Sequence, residues 1–207
     1  MSREIDEMMV TLLKRLAKVG YIKPGEVPNI NLYMDQVTTF MDEHLSDGKR
    51  HADDKILTKT MINNYTKNDL LPAPVKKKYS KNHIYILTFI YYFKNILSIS
   101  DIQKLLDPLT ENFFDDDDKD IDLDHIYKEI YALEKNQMDA LSKDIMAKSK
   151  IAAESFSNES DEKNRDFLQL FTMVSLLSFD VYMKKNMIEN LIDEFTNDYK
   201  SDTDSKK

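Results

Sequence analysis

The chain has no cysteine, and only three glycines and five prolines among 207 residues. The missing cysteine excludes disulfides, thiolate nucleophiles and thiolate metal sites. A cytosolic protein does without cysteine readily, whereas small secreted domains commonly depend on it. Scarce glycine and proline leave few turn residues, so long segments rich in Leu, Met, Lys and Glu favour helices joined by short loops. Also missing is a secretory leader: the opening MSREIDEMM lacks a basic stretch followed by an apolar one, and a cytoplasmic location is expected. The hydrophobic fraction of 42% is ordinary and sufficient for a core.

What is present is unevenly spread. The net charge is −8. Yet residues 49–104 hold eleven Lys or Arg against four Asp, a local charge of +7, while residues 1–48 carry −3 and residues 105–207 carry −12. A basic block inside an acidic chain offsets repulsion from a polyanion on one segment only.

Helical periodicity divides the rest. Met8, Met9, Leu12, Leu13, Leu16 and Val19 predict an amphipathic helix over 4–19, stopped by Gly20 and Pro24-Gly25. Leu32, Val37, Phe40, Met41 and Leu45 predict a second helix over 32–45, capped by Asn29 or Asn31. Residues 46–55 are polar and read as an exposed loop. Thr58 caps a short helix, KTMINNYTK. Leu70-Leu71-Pro72-Ala73-Pro74 is extended, because proline disfavours helix in the residue before it. Val75 to Tyr79 is a short basic strand or turn. Ser80 caps the next helix, and a further one from Ser100 ends at Pro108.

This order suits a nucleic-acid surface. Asn63 and Asn64 each present a donor and an acceptor that match adenine in the major groove. Thr58, Thr60 and the helix's first amides suit a phosphate. Lys76, Lys77 and Lys78 would neutralise backbone phosphates and release counterions. Tyr79 packs beneath the turn or touches sugar, and Lys59, Tyr65 and Lys67 complete the expected contact set. Read blandly, the asparagines are a polar helix face and the lysines a solvated turn.

The run from Thr60 to Leu106 resembles the MerR-type winged helix in layout, through Tyr65, Leu70, Leu71, Pro72, Lys77, Tyr79, Ser80, Ser100, Asp101 and Ile102. The resemblance implies a recognition helix ending in Tyr, a basic wing ending in Tyr-Ser, and two closing helices. The chain departs from it at Asn63-Asn64, where that family has Arg-Tyr, and at Asp69, where it has Gly. Stretches NINLYMDQV, LTKTMINNY, PVKKKYSKNH and LSISDIQKL more closely resemble a bacterial family, domain of unknown function 1836. That resemblance implies a fold and no activity.

Beyond Pro108, Asp115 to Asp118 lacks the glycine and the closing glutamate of a calcium loop and reads as solvated. Residues 123–156 and 165–198 predict two long helices forming an antiparallel hairpin. Phe167 to Met183 is strongly apolar, but Gln169 and Asp180 interrupt it and it falls short of about 20 apolar residues, so no membrane span is expected. Its surface exceeds what one neighbour covers, which leaves two expectations: a homodimer through helix 165–198, or a monomer in which helix 4–19 wraps over the remainder.

Catalytic signals are few. His125 and Glu129 share a helix face but supply two ligands at most, and no glycine-rich phosphate loop occurs. No cofactor, no metal and no catalysis are expected. The expected fold is all-α: an N-terminal helix and linker (1–27), a MerR-like winged helix-turn-helix (28–108), a helical hairpin for dimerisation or effector sensing (109–198) and a disordered tail (199–207). The expected role is a DNA-binding transcriptional regulator. The alternative is a helical protein-interaction module of winged-helix shape that does not bind DNA.

Overall fold

The computed structural model describes residues 3–115 and 121–204. It is mostly helical: α1 (Arg3–Leu16), α2 (Met34–Leu45), α3 (Lys59–Lys67), α4 (Lys81–Phe93), α5 (Ile99–Phe113), α6 (Leu123–Glu154) and α7 (Glu162–Asp204). Two-residue strands β1 (Leu32–Tyr33) and β2 (Lys78–Tyr79) pair antiparallel, Leu32 opposite Tyr79 and Tyr33 opposite Lys78.

Side-chain caps start the helices. Thr58 accepts from the Met61 amide at 3.1 Å, Ser98 from Asp101 at 3.2 Å, Asp122 from His125 at 2.7 Å and Asp161 from Asn164 at 2.8 Å. Each cap satisfies an amide that the helix itself leaves without a partner, worth about 1 kcal/mol. At α2 the cap position is Tyr33, not an asparagine, and the Tyr33 amide donates back to Gln36 Oε1 at 2.8 Å.

α4 is the centre. All nine residues from His83 to Tyr91 are buried. An aromatic group ties this helix to the N-terminal arm and to α6: Tyr85 stacks on Tyr127 with ring centroids 4.0 Å apart, and Tyr21 meets Tyr92 edge-on at 4.6 Å. Two hydroxyls anchor the arm's backbone, Tyr127 donating to the Ile22 carbonyl at 2.7 Å and Tyr92 to the Gly20 carbonyl. The main core therefore runs from Ile22 to Tyr127 and adds Ile192 from α7, well outside the expected 28–108 unit.

The hairpin of α6 and α7 has a thin core of Ile145, Ala152 and Met173, with Met9 and Leu13 of α1 packed against it. Polar links supplement it: Lys148 pairs with Asp180 at 2.8 Å, and Gln169 Nε2 donates to the Ala153 carbonyl at 2.7 Å. From Glu162 to Thr196, α7 is by length and composition long and apolar enough to cross a membrane, with only 11% of its most apolar stretch buried. The apolar run Phe167–Met183, from which no membrane span is expected, lies inside this stretch.

Other boundaries differ for physical reasons. α5 continues through Pro108 to Phe113, so the Lys104 carbonyl loses its helical donor, and Thr110 and Asn112 bond back to carbonyls of the same turns. α6 ends at Glu154, and Phe156 adopts a left-handed φ of 51° in the turn before α7. The expected exposed loop is pinned: the Asp54 carboxylate accepts from the Arg50 and His51 amides, Lys49 pairs with Asp42 at 2.7 Å, and Ile56 and Leu57 are buried. α7 stays helical to Asp204, into the segment expected as a tail, whose residues 205–207 lie outside the described ones.

The end of α3 is a Schellman motif. The Leu70 amide donates to the Tyr65 carbonyl at 2.9 Å and the Asp69 amide to Thr66 at 3.4 Å, which places Asp69 at φ 57°. That conformation costs an L-residue about 1 kcal/mol relative to glycine. Asp69 also sits near Asp107, whose carboxyl is pushed up by burial and then by Glu111 and Asp69. Asp69→Gly is therefore expected to raise unfolding stability by up to about 0.5 kcal/mol in urea titrations, after glycine's extra unfolded-state entropy is subtracted. A lower stability would contradict the left-handed assignment.

Candidate nucleic-acid interface

Two basic elements flank the first turn of α2. Lys59, opening α3, pairs with Asp35 in that turn. Tyr33, immediately before the turn, pairs in register with Lys78, whose ammonium lies 5.1 Å from the Tyr33 ring centre. α3 and the β1–β2 ribbon are thereby held through one short stretch of α2.

On α3, Lys59, Thr60, Asn63, Asn64 and Lys67 are exposed and recur at helical spacing, so they share one face. The opposite face buries Ile62 and Tyr65. Thr58 is half-buried and its hydroxyl oxygen is engaged as the cap.

The second element is a two-residue turn. A bridge between Val75 and Lys78 closes it, and the Lys78 amide donates to the Val75 carbonyl at 3.0 Å. Its central residues, Lys76 and Lys77, both have positive φ, 51° and 63°. Hairpins of this length demand that conformation because their twist then matches the strands, and Asn-Gly ordinarily supplies it. Here two exposed lysines hold it. Lys78 is half-buried and Tyr79 is 3% exposed, as alternation along a strand requires.

Of the expected contact residues, the exposed set is thus Lys59, Thr60, Asn63, Asn64, Lys67, Lys76 and Lys77. Tyr65 and Tyr79 lie in the core instead. Tyr65 sits three residues after buried Ile62 on the inner face of α3, and Tyr79 faces inward opposite Leu32.

The sequence reading passed over His83. It is 3% exposed, between Tyr79 and Phe114, with ring centroids 5.3 Å and 4.8 Å away, both edge-on. Its Nδ1 accepts from the Ser80 amide at 2.9 Å and lies 2.8 Å from the Ser80 hydroxyl. Nε2 lies near the Pro72 and Ala73 carbonyls without reaching hydrogen-bond geometry. Burial pushes the imidazole pKa down to about 4, against the opposing pull of those carbonyls and of Asp115. One clue lay in the sequence: the histidine stands three residues after a capping serine in an otherwise apolar helix.

A cleft of about 530 Å³ lies elsewhere, between residues 17–26, the end of α2 and α6, with Glu26, Glu43, His44, Asp47 and Glu134 on its walls. It shares no residue with the basic elements. Among the described residues, no three His, Asp or Glu side chains are placed to hold a metal ion together.

The family described as Domain of unknown function (DUF1836) matches residues 22–130, nearly the span that builds the main core. No curated protein and no solved structure matches the chain.

The depressed histidine sets a pH dependence. A neutral His83 in the fold, against an ordinary value of 6.5 when unfolded, contributes stability that is fully present above about pH 6.5. It is lost progressively down to about pH 4, up to about 3 kcal/mol in total. Between pH 7 and pH 5, wild-type stability should fall by about 2 kcal/mol more than that of His83→Gln, measured by urea unfolding. Equal losses would place the imidazole proton outside the folding linkage.

Proposed function

The chain belongs to the DUF1836 family, and we propose that it is a DNA-binding transcriptional regulator whose MerR-like winged helix presents α3 and the Lys76-Lys77 turn to duplex DNA. The observation that carries the reading is the turn itself. Two lysines at left-handed φ cost about 1–2 kcal/mol each relative to residues suited to that conformation. Strain retained at an exposed, charged tip points to a role for the charge, since stability alone favours Asn-Gly. The exposed face of α3 supports the same reading, with Asn63 and Asn64 suited to adenine and Thr60, Lys59 and Lys67 to phosphates. Tyr65 and Tyr79 act as supports beneath the two elements. The proposal assigns the protein no catalysis, cofactor or metal, and a cytoplasmic location.

A second reading rests on the Lys59–Asp35 pair. It spends one basic side chain of the surface on an internal partner. Under that reading the same shape serves as a helical protein-interaction module and does not bind DNA.

Fluorescence anisotropy with duplex DNA across a salt series separates the two. The regulator should bind with an affinity that falls steeply as salt rises. Changing Lys76, Lys77 and Lys78 to Ala should reduce the log–log salt slope by about 2–3. Lys76→Asn with Lys77→Gly is the sharper variant. It should gain about 1 kcal/mol of stability, because the new residues suit the turn, and still lose DNA affinity. Unmeasurable wild-type binding at low salt would favour the interaction module.

A further inference from the structure

In its first half, α7 turns one flank to α6, where Gln169 and Met173 are buried and Leu177 packs on the hairpin core. Next to that flank runs an open apolar stripe. Phe167, Leu170, Phe171, Val174, Val181 and Tyr182 are each between 46% and 64% exposed. Their spacing of three, four and seven places them on one side of the helix. Further along, the same side carries Ile188 and Ile192, which pack into the main core, while Lys104 of α5 reaches Asp193 at 3.2 Å. One end of the stripe is therefore covered by the chain's own fold and the other is bare.

We propose that a second copy of this chain covers the bare end, with α7 lying antiparallel on its twofold-related self and the axis close to Val174 and Ser175. Two observations select this occupant. The first is size. The six side chains present on the order of 600 Å² per copy, near the roughly 800 Å² per partner of a stable interface.

The second is charge. Asp166 and Lys184 are separated by 18 positions, about five full turns, so both border the stripe on the same flank. Antiparallel pairing about Val174–Ser175 sets Asp166 of one copy opposite Lys184 of the other, twice per dimer. Parallel pairing in register leaves Asp166 and Lys184 of the two copies about 27 Å apart along the helices, with no such pairing. The stripe also meets itself, as a twofold interface requires. A bilayer fits less well: one flank of α7 is taken by α6, where Gln169 and Met173 are buried, and Asp180 is paired with Lys148 within the apolar stretch. The proposal does not depend on the basic surface meeting DNA.

Sedimentation equilibrium at micromolar concentration tests it on the full chain. Wild type should be a dimer. Phe171→Glu and Val174→Glu, both at exposed positions, should be monomers with unchanged circular dichroism. Asp166→Lys should weaken association roughly tenfold, and adding Lys184→Asp should restore it. Because the chain has no cysteine, Val174→Cys should yield a single oxidised, covalent dimer. A wild-type monomer overturns the proposal. So does a dimer indifferent to both glutamate variants, a monomer that floats with phosphatidylcholine vesicles, or a charge-swapped pair that fails to recover.

Discussion

Everything in the main domain depends on α4 being buried on every side. A helix with one apolar stripe needs one neighbour, but a helix whose nine central residues are all inside needs a complete ring of them. The N-terminal arm, β2, α5 and α6 supply that ring. Polar atoms on α4 must then find partners within it. Thr88 Oγ1 donates to the Ile84 carbonyl at 2.8 Å and the Tyr85 hydroxyl donates to Asp124. Burial alone would push the Asp124 carboxyl up, but Lys128, Lys81 and Tyr85 together hold it well below the usual carboxylate range. The opening of α6 is thus fixed to α4 by a charged cluster as well as by the Tyr85–Tyr127 stack.

The basic surface inherits its rigidity from that arrangement. Tyr79 and His83 reach inward from the ribbon and from α4, and Phe114 closes over them. The lysine turn is short and closed by a single bridge, so its geometry is set by the strand behind it more than by its own residues. The hairpin differs in kind. Its three buried apolar residues make a slender core, and α1 adds only part-buried side chains to it. Cohesion is concentrated between residues 22 and 130, the span the family shares.

Much of this could be read in the residues. Helical periods located all seven α-helices of the described residues, and the Thr58 and Ser80 caps and the Leu70-Leu71-Pro72 turn stand where expected. What escaped depends on partners distant in the chain. Tyr65 and Tyr79 carry both a ring and a hydroxyl, so sequence alone leaves their direction open; Ile62 and Leu32 settle it. Pro108 normally ends a helix, and here continued packing of α5 outweighs the lost bond. Left-handed lysines at 76 and 77 follow from a strand register that local preference cannot reveal. The core reaches past residue 108 because Phe114, Leu123 and Tyr127 complete the ring around α4, a demand visible only once that ring is closed.

Ile192 makes the order of synthesis matter. It is 2% exposed and belongs to the main core, although most of that core is complete by Tyr127. A chain emerging from the ribosome exposes the family domain long before α7 can deliver this side chain. Until then the nascent domain lacks the side chain that fills this part of its core, and the apolar neighbours of Ile192 face solvent. Such a lag is where a folding chaperone would find purchase, and where a slowed or truncated translation product would be most prone to aggregate.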